Sequence, residues 1–260
     1  MTVPGDDKGP LTNIDDVRAR LLTDCYWSAY ALGDLDPRRA GYCRWFGQGT
    51  SIALLYHEFD EPILFAAGDP AVLNAVPDVA VCHLQIPEHF LPAVTERFPV
   101  RWNRLMHRMC LAPQAFIPDP GEARAERLDE RHESELRELF ADGRATGEEP
   151  DFFMRSQLQD GTFFGIRAEG RLVAAGGTHL YSAAESVGTV GNVYTRRAYR
   201  GQGCASAVTS AVVRELIQRG TRIIALNVKS ENEAAIRVYR RLGFRFHARF
   251  WEGWAGPPRD

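Results

Sequence analysis

The stretch YRGQGCASAVTSAV, residues 199–212, constrains this chain more than any other part of its sequence. It sets Arg200, Gly201 and Gly203 together and then runs directly into small and β-branched residues. Glycine at that density is unfavourable inside a helix or a strand, because it loses the most backbone freedom on ordering. The backbone path around 200–205 therefore needs residues that lack a Cβ. A strand pattern, SVGTVGNVYT, feeds the turn, and a helical pattern leaves it and runs to about Arg219. The first N–H groups of a helix have no partner within it, and the aligned peptide dipoles place partial positive charge there. A strand, a glycine turn and a helix in this order make a seat for a phosphate, held by backbone N–H groups. The N–H groups of Gly201, Gln202, Gly203, Cys204 and Ala205 would form that seat, and Arg200 would add a full charge.

Two other phosphate loops are disfavoured. A Walker A loop requires lysine and then Ser or Thr after its last glycine, and no lysine follows Gly203. A dinucleotide fingerprint requires Gly-x-Gly-x-x-Gly in the first strand–helix unit. Residues 201–206 instead end in Ser206 and come after three strand-like segments.

Those segments belong to a legible second half. DERHESELRELFADG is an amphipathic helix with Leu136, Leu139 and Phe140 on its apolar side, and FMRSQLQDG is expected to form a short helix after a loop. TFFGIRAEGRLVAAGGTHLYS predicts strand, Glu-Gly turn and strand; RIIALNV is a strand, ENEAAIRVYRRL a helix ending at Gly243, and FRFHARFWEGW an alternating aromatic strand. APQAFIPDPGEARAE, with three prolines and a glycine, marks a domain boundary near 118. Upstream, residues 1–12 have a disordered composition and 17–32 a helical pattern. TSIALLYHEFDEPILFAAGDP predicts a hairpin, DVAVCHLQI a strand, PEHFLPAVTERF a helix and RWNRLMHRMCL a strand. The expected architecture is α/β (α+β): a domain over 119–260 with helices packed on one sheet, and a smaller N-terminal α/β domain over 1–118. The first half echoes the element order of the second but has no glycine turn, as a degenerate duplicate would.

Composition removes several classes of function. A net charge of −3 over 260 residues gives no electrostatic reason to expect nucleic acid. The cluster Arg237, Arg240 and Arg241 lies among similar numbers of carboxylates and fits a solvated face. Five cysteines, at 25, 43, 82, 110 and 204, contain no Cys-x-x-Cys pair, which fits reduced thiols in a cytoplasmic protein. The seven histidines show no metal-binding spacing, so no metal is expected. No run approaches the ~18 apolar residues that span a bilayer. The polar, acidic start MTVPGDDKGPLTNIDD holds no apolar signal core, so no membrane partner is expected. YCRWF, at 42–46, suits burial within one domain or against a second copy in a homodimer.

The glycine turn resembles the acyl-coenzyme A loop of the GCN5-related N-acetyltransferase (GNAT) superfamily, Arg/Gln-x-x-Gly-x-Gly/Ala, met by Arg200, Gly203 and Ala205. NVKSENEAAIRVYRRLGF is similar to that superfamily's second signature, met by Asn232, Ala235, Tyr239, Gly243 and Phe244. The likeness covers about 122–252 and is nearest to FR47-like members. Proline is common in the family at the place of Arg197; its absence leaves the turn glycines in position. The resemblance implies a mostly antiparallel sheet and acyl transfer from acetyl-CoA to an amine, on a small molecule or a protein.

It also implies roles for named residues. Backbone groups of Val193, Tyr194 and Thr195 would bind the pantetheine arm as a pseudo-strand, provided the sheet splays there. Gly188 and Gly191 fit such a departure from regular pairing. A strand N–H near Val193 would serve the oxyanion, Asn232 would meet the pantetheine amides or phosphates, start the helix, or both, Ala235 would lie against the cofactor, and Tyr239 would protonate the leaving thiolate. On α-helical spacing Tyr239 shares a face with Asn232, Ala235 and Ile236, while Ala234, Val238 and Leu242 form the expected core side.

No general base stands out. SVGTVGNVYT lacks a carboxylate in its middle, where some relatives carry glutamate. Glu148, Glu149 and Asp151, in the loop between the two helices of the second half, are acidic candidates for holding a cationic amine or relaying a proton through water, and equally an acidic surface loop; Phe152 and Phe153 could line a pocket or pack in the core. Cys204, at a helix start, has no histidine placed by sequence to make it a nucleophile. Two alternatives stay open: a non-catalytic acyl-CoA-binding module, and an acyltransferase using a longer chain in a tunnel near Phe163 and Phe164.

Overall fold

The computed structural model describes residues 9–150 and 153–256. They form, in order, β1 (Gly9–Leu11), α1 (Ile14–Leu21), α2 (Ala29–Gly33), β2 (Cys43–Gln48), β3 (Ser51–Tyr56), β4 (Ile63–Ala67), β5 (Cys82–Pro87), α3 (Leu91–Arg97) and β6 (Val100–Leu111). There follow β7 (Glu126–Leu128), α4 (Glu133–Ala141), α5 (Arg155–Asp160), β8 (Phe163–Ala168), β9 (Arg171–Ser182), β10 (Val187–Thr195), α6 (Cys204–Gln218), β11 (Ile223–Lys229), α7 (Glu233–Arg241) and β12 (Arg245–Ala255). The chain divides into two compact units, one running to Arg108 and including the segment from His247, the other Met109–Phe246.

In the first unit the strands lie in the order β1-β2-β3-β4-β5-β12-β6. β2, β3 and β4 pair antiparallel, β4 and β5 parallel, and β12 antiparallel to β5. Phe46, Leu55, Leu64, Leu84, Ile86 and Phe90 form its core. The helical pattern over 17–32 breaks in two. Thr23 Oγ1 donates to Arg20 O at 2.7 Å, and Asp24 Oδ1 accepts from Trp27 N at 3.0 Å. Such local bonds compete with the helix ladder. Within the span expected to be disordered, Gly9–Leu11 pairs with β2; residues 1–8 lie outside the described residues.

In the second unit the order is β11-β10-β9-β8-β7, antiparallel except for β10 and β11, which are parallel. This is the mixed, mostly antiparallel sheet with flanking helices. α4 packs Leu136, Leu139 and Phe140 onto Phe163 and Ala175. α6 and α7 pack Val212, Leu216, Ile236 and Tyr239 with Val190 and Leu226.

The boundary expected near 118 falls inside this unit. The proline-rich segment is bonded into it: Ile117 N donates to Leu242 O at 3.1 Å and Asp119 N to Ser210 Oγ at 2.9 Å. At the other end, 250–255 of β12 pair with β5 and so belong to the first unit. Among the described residues no helix is long and apolar enough to cross a membrane, and no group of His, Cys, Asp and Glu is placed to hold a metal.

Candidate active site

The parallel ladder between β10 and β11 runs from Val187↔Ile223 to Val190↔Leu226 and stops there. β10 nevertheless continues to Thr195, still paired with β9, and β11 continues to Lys229. The two strands therefore part beyond Val190, as the pseudo-strand expectation for Val193, Tyr194 and Thr195 required. The departure coincides with a register shift between Gly191 and Tyr194, where Asn192 holds a φ of 52°. A non-glycine residue in that region persists only where its surroundings over-determine it. Here the Asn192 side chain is buried and its Nδ2 donates to Gln157 Oε1 at 3.0 Å. Each flanking strand also supplies a buried oxygen with no hydrogen-bond partner among the described residues, Thr195 Oγ1 on β10 and Asn227 Oδ1 on β11. Buried polar atoms without partners are rare and call for a donor or acceptor from elsewhere.

The turn after β10 meets the backbone demand read from its glycines. Gly201 and Gly203 have φ of 77° and 76°, and Gly203 is the N-cap of α6. No side chain caps that helix end. A Cβ at Gly201 would meet nothing within 4 Å, and one at Gly203 only the Arg124 guanidinium at 3.4 Å. Among the described residues, then, no side chain hydrogen-bonds the start of α6 at Cys204 and Ala205, and the Arg124 guanidinium stands beside it. Arg124 also donates to Gln202 O at 3.2 Å, bringing a second cation to the turn.

Arg200 itself is already engaged. Its Nε donates to Thr195 O at 3.1 Å, and its two terminal nitrogens donate to Glu148 Oε1 and Oε2 at 2.9 and 3.2 Å. Glu148 further accepts from Thr146 Oγ1 at 2.6 Å and from Arg197 at 3.3 Å. The Arg200 and Thr146 donors hold its carboxyl down at about 2. On the opposite side Lys229 Nζ, at the end of β11, donates to Gly147 O at 3.3 Å. The loop over 143–149 is thus tied both to the turn that follows β10 and to the last residue of β11.

Other expected site residues are more structural than the sequence implied. Tyr239 is buried among Ile236, Leu242 and Phe244, its ring edge-on to Phe244 at 5.9 Å. The buried side of α7 is therefore Ile236, Tyr239 and Leu242. Ala234, expected in the core, is exposed. Asn232 caps α7, its Oδ1 accepting from Ala235 N at 3.1 Å, and Ala235 is half-buried behind it. Tyr194 is buried, its hydroxyl donating to Asp142 Oδ2 at 2.9 Å, so only its backbone is available in the opening. The Cys204 side chain packs among Ile166, Val173 and Val208, away from any nucleophilic role. Glu149 pairs with Arg144 at 2.8 Å. Phe153 packs against Phe140 and Phe163 in the core, Phe163 is fully buried, and the Arg127 guanidinium lies over the Phe164 ring at 5.6 Å. Asp151 and Phe152 lie outside the described residues.

Two residues beside the opening and the turn, Asn227 and Arg124, were not singled out from sequence. Asn227 is signalled only by an amide inside the apolar strand RIIALNV. Arg124 comes from the proline-rich segment and carries no local signal.

Residues 128–244 match the model of the Acetyltransferase (GNAT) family. A mycothiol acetyltransferase of Saccharomonospora viridis is 38% identical over 91 residues, which cover 33% of this chain and 30% of that one. One of Paenarthrobacter aurescens is 29% identical over 165 residues, 56% of this chain and 50% of the relative. The chain thus spans half or less of the length of these curated relatives. A solved GCN5-related N-acetyltransferase from Kribbella flavida shares the fold at a TM-score of 0.63 and 18% identity, over 90% of this chain and 95% of that one.

Proposed function

Residues 128–244 are a GNAT acetyltransferase domain, and from that premise we propose that the chain transfers an acetyl group from acetyl-CoA to a primary amine. The amine attacks directly, within a ternary complex. The observation that carries this reading is the early end of the β10–β11 ladder beside the uncapped start of α6. One feature suits an extended amide arm, the other a diphosphate, and they are joined by a single turn. Acetyl-CoA supplies the thioester.

The chain's own residues do the rest. N–H groups over 201–205, the Arg124 cation and, once it leaves Glu148, the Arg200 guanidinium hold the diphosphate. Backbone groups of Val193, Tyr194 and Thr195 on one side, and Asn227 on the other, hold the pantetheine amides. The Val193 N–H donates to the carbonyl oxygen as it gains charge, a contribution of about 3 kcal/mol to the barrier in comparable oxyanion sites. Tyr239 gives its proton to the departing sulfur. Asn232 serves by starting α7, which fixes where Tyr239 stands. Relatives named for mycothiol favour a small-molecule amine over a protein as acceptor.

Isothermal titration with CoA tests the reading, followed by thiol release from acetyl-CoA with glucosamine or S-methylcysteine as acceptor. CoA binding in the micromolar range is expected. A chain that takes up no CoA at millimolar concentration contradicts it.

A further inference from the structure

Resting on that reading, we propose that His179 is the general base that takes the proton from the attacking amine. β10 offers no carboxylate for this task between Val187 and Thr195. Its neighbour β9 offers an imidazole instead. Thr189 pairs with Leu180 and Val190 with Thr178, so His179 is the extra residue of a bulge in β9. Bulges re-aim side chains that regular pairing would direct elsewhere.

The ring lies against Gly191. A Cβ added at Gly191 would stand 2.9 Å from His179 Cβ and 3.2 Å from its Nδ1. Strand glycine often marks such a close approach, and here it keeps the space for the imidazole. Gly191 is the first residue of β10 beyond the ladder with β11, and Val193, the proposed oxyanion donor, follows two residues later.

The position of His179 is fixed from behind. Gln157, itself buried, donates through Nε2 to His179 O at 2.9 Å and accepts through Oε1 from Asn192 Nδ2 at 3.0 Å. One side-chain amide therefore ties the bulge of β9 to the bulge of β10. Imidazole is the side chain most often used as a general base. In the step itself the N–C bond forms while the C–S bond breaks. His179 takes the proton that the nitrogen loses, Tyr239 protonates the thiolate, and the proton returns from imidazolium to tyrosinate through solvent.

The test follows thiol release from acetyl-CoA with glucosamine, with S-methylcysteine and with water alone as nucleophile. His179→Ala should lower kcat about 100-fold or more, leave KM for acetyl-CoA within twofold, and regain activity in proportion to added imidazole. Gly191→Ala, which displaces the ring without removing it, should also lower kcat. Should His179→Ala fail to unfold cooperatively, His179→Gln takes its place, with the same loss expected. The assignment is overturned if a folded variant at 179 keeps kcat within threefold, or if imidazole restores nothing to His179→Ala. A wild-type chain that binds no CoA overturns the acyl-transfer reading and this assignment with it. A wild type that turns over beside an equally active His179→Gln overturns the assignment alone.

Discussion

Glu148 occupies the arginine that a diphosphate would use, so Glu148→Gln should bind CoA more tightly than the wild type. The carboxylate accepts two bonds from Arg200, at 2.9 and 3.2 Å, and one from Arg197 at 3.3 Å. A bidentate pair of this kind is stronger than a single contact. Its side chains are nevertheless 38% and 41% exposed, which limits the pair to about 1 kcal/mol in water. CoA must break that contact to reach the Arg200 guanidinium, and the glutamine variant removes most of the penalty. About 1 kcal/mol corresponds to roughly a fivefold lower Kd. Because the Glu148 carboxyl is held at about 2, it stays ionised between pH 5 and 8, so the gain should be independent of pH there. It should shrink in high salt, where exposed charges are screened. Isothermal titration of both proteins with CoA, at low and high ionic strength, measures the difference. An unchanged or weakened affinity in Glu148→Gln would refute the competition between this carboxylate and the phosphates.

Tyr239→Phe should lower kcat by at least tenfold while leaving the Kd for CoA within twofold, measured by thiol release and titration; equal loss in both would make Tyr239 a packing residue only. Asp34, in the first unit, should make stability depend on pH. Burial pushes its carboxyl up to about 7, against the pull of Arg39 and with some help from Glu58. The folded form therefore keeps its proton while the unfolded chain loses it, so this contribution is complete below about pH 4 and gone above about pH 7. Urea unfolding at pH 5 and pH 8 should show wild type losing more stability than Asp34→Asn over that interval; parallel losses would contradict it.

The glycine turn was legible because its chemistry is local. Gly201 and Gly203 announce positive φ wherever they are placed, and the strand before and helix after them carry clear periodicity. The opening beside it was inferred only through resemblance, since the point where β10 leaves β11 depends on pairing between segments more than thirty residues apart. His179 and Asn227 were hidden for the same reason: each is defined by what lies across the sheet from it. The face of α7 was misjudged by spacing alone. Ala234 contributes little apolar area, and the larger Ile236 and Tyr239 take the buried side. Short strands such as Gly9–Leu11 and Glu126–Leu128 have too few residues to show a period, and are held by their neighbours.

The most direct measurement is a crystal structure of the chain with CoA. Its diphosphate should lie on the N–H groups over 201–205, with the pantetheine amides between the 191–195 segment of β10 and the end of β11. CoA bound elsewhere, or an opening left without ligand at saturating CoA, would contradict the account.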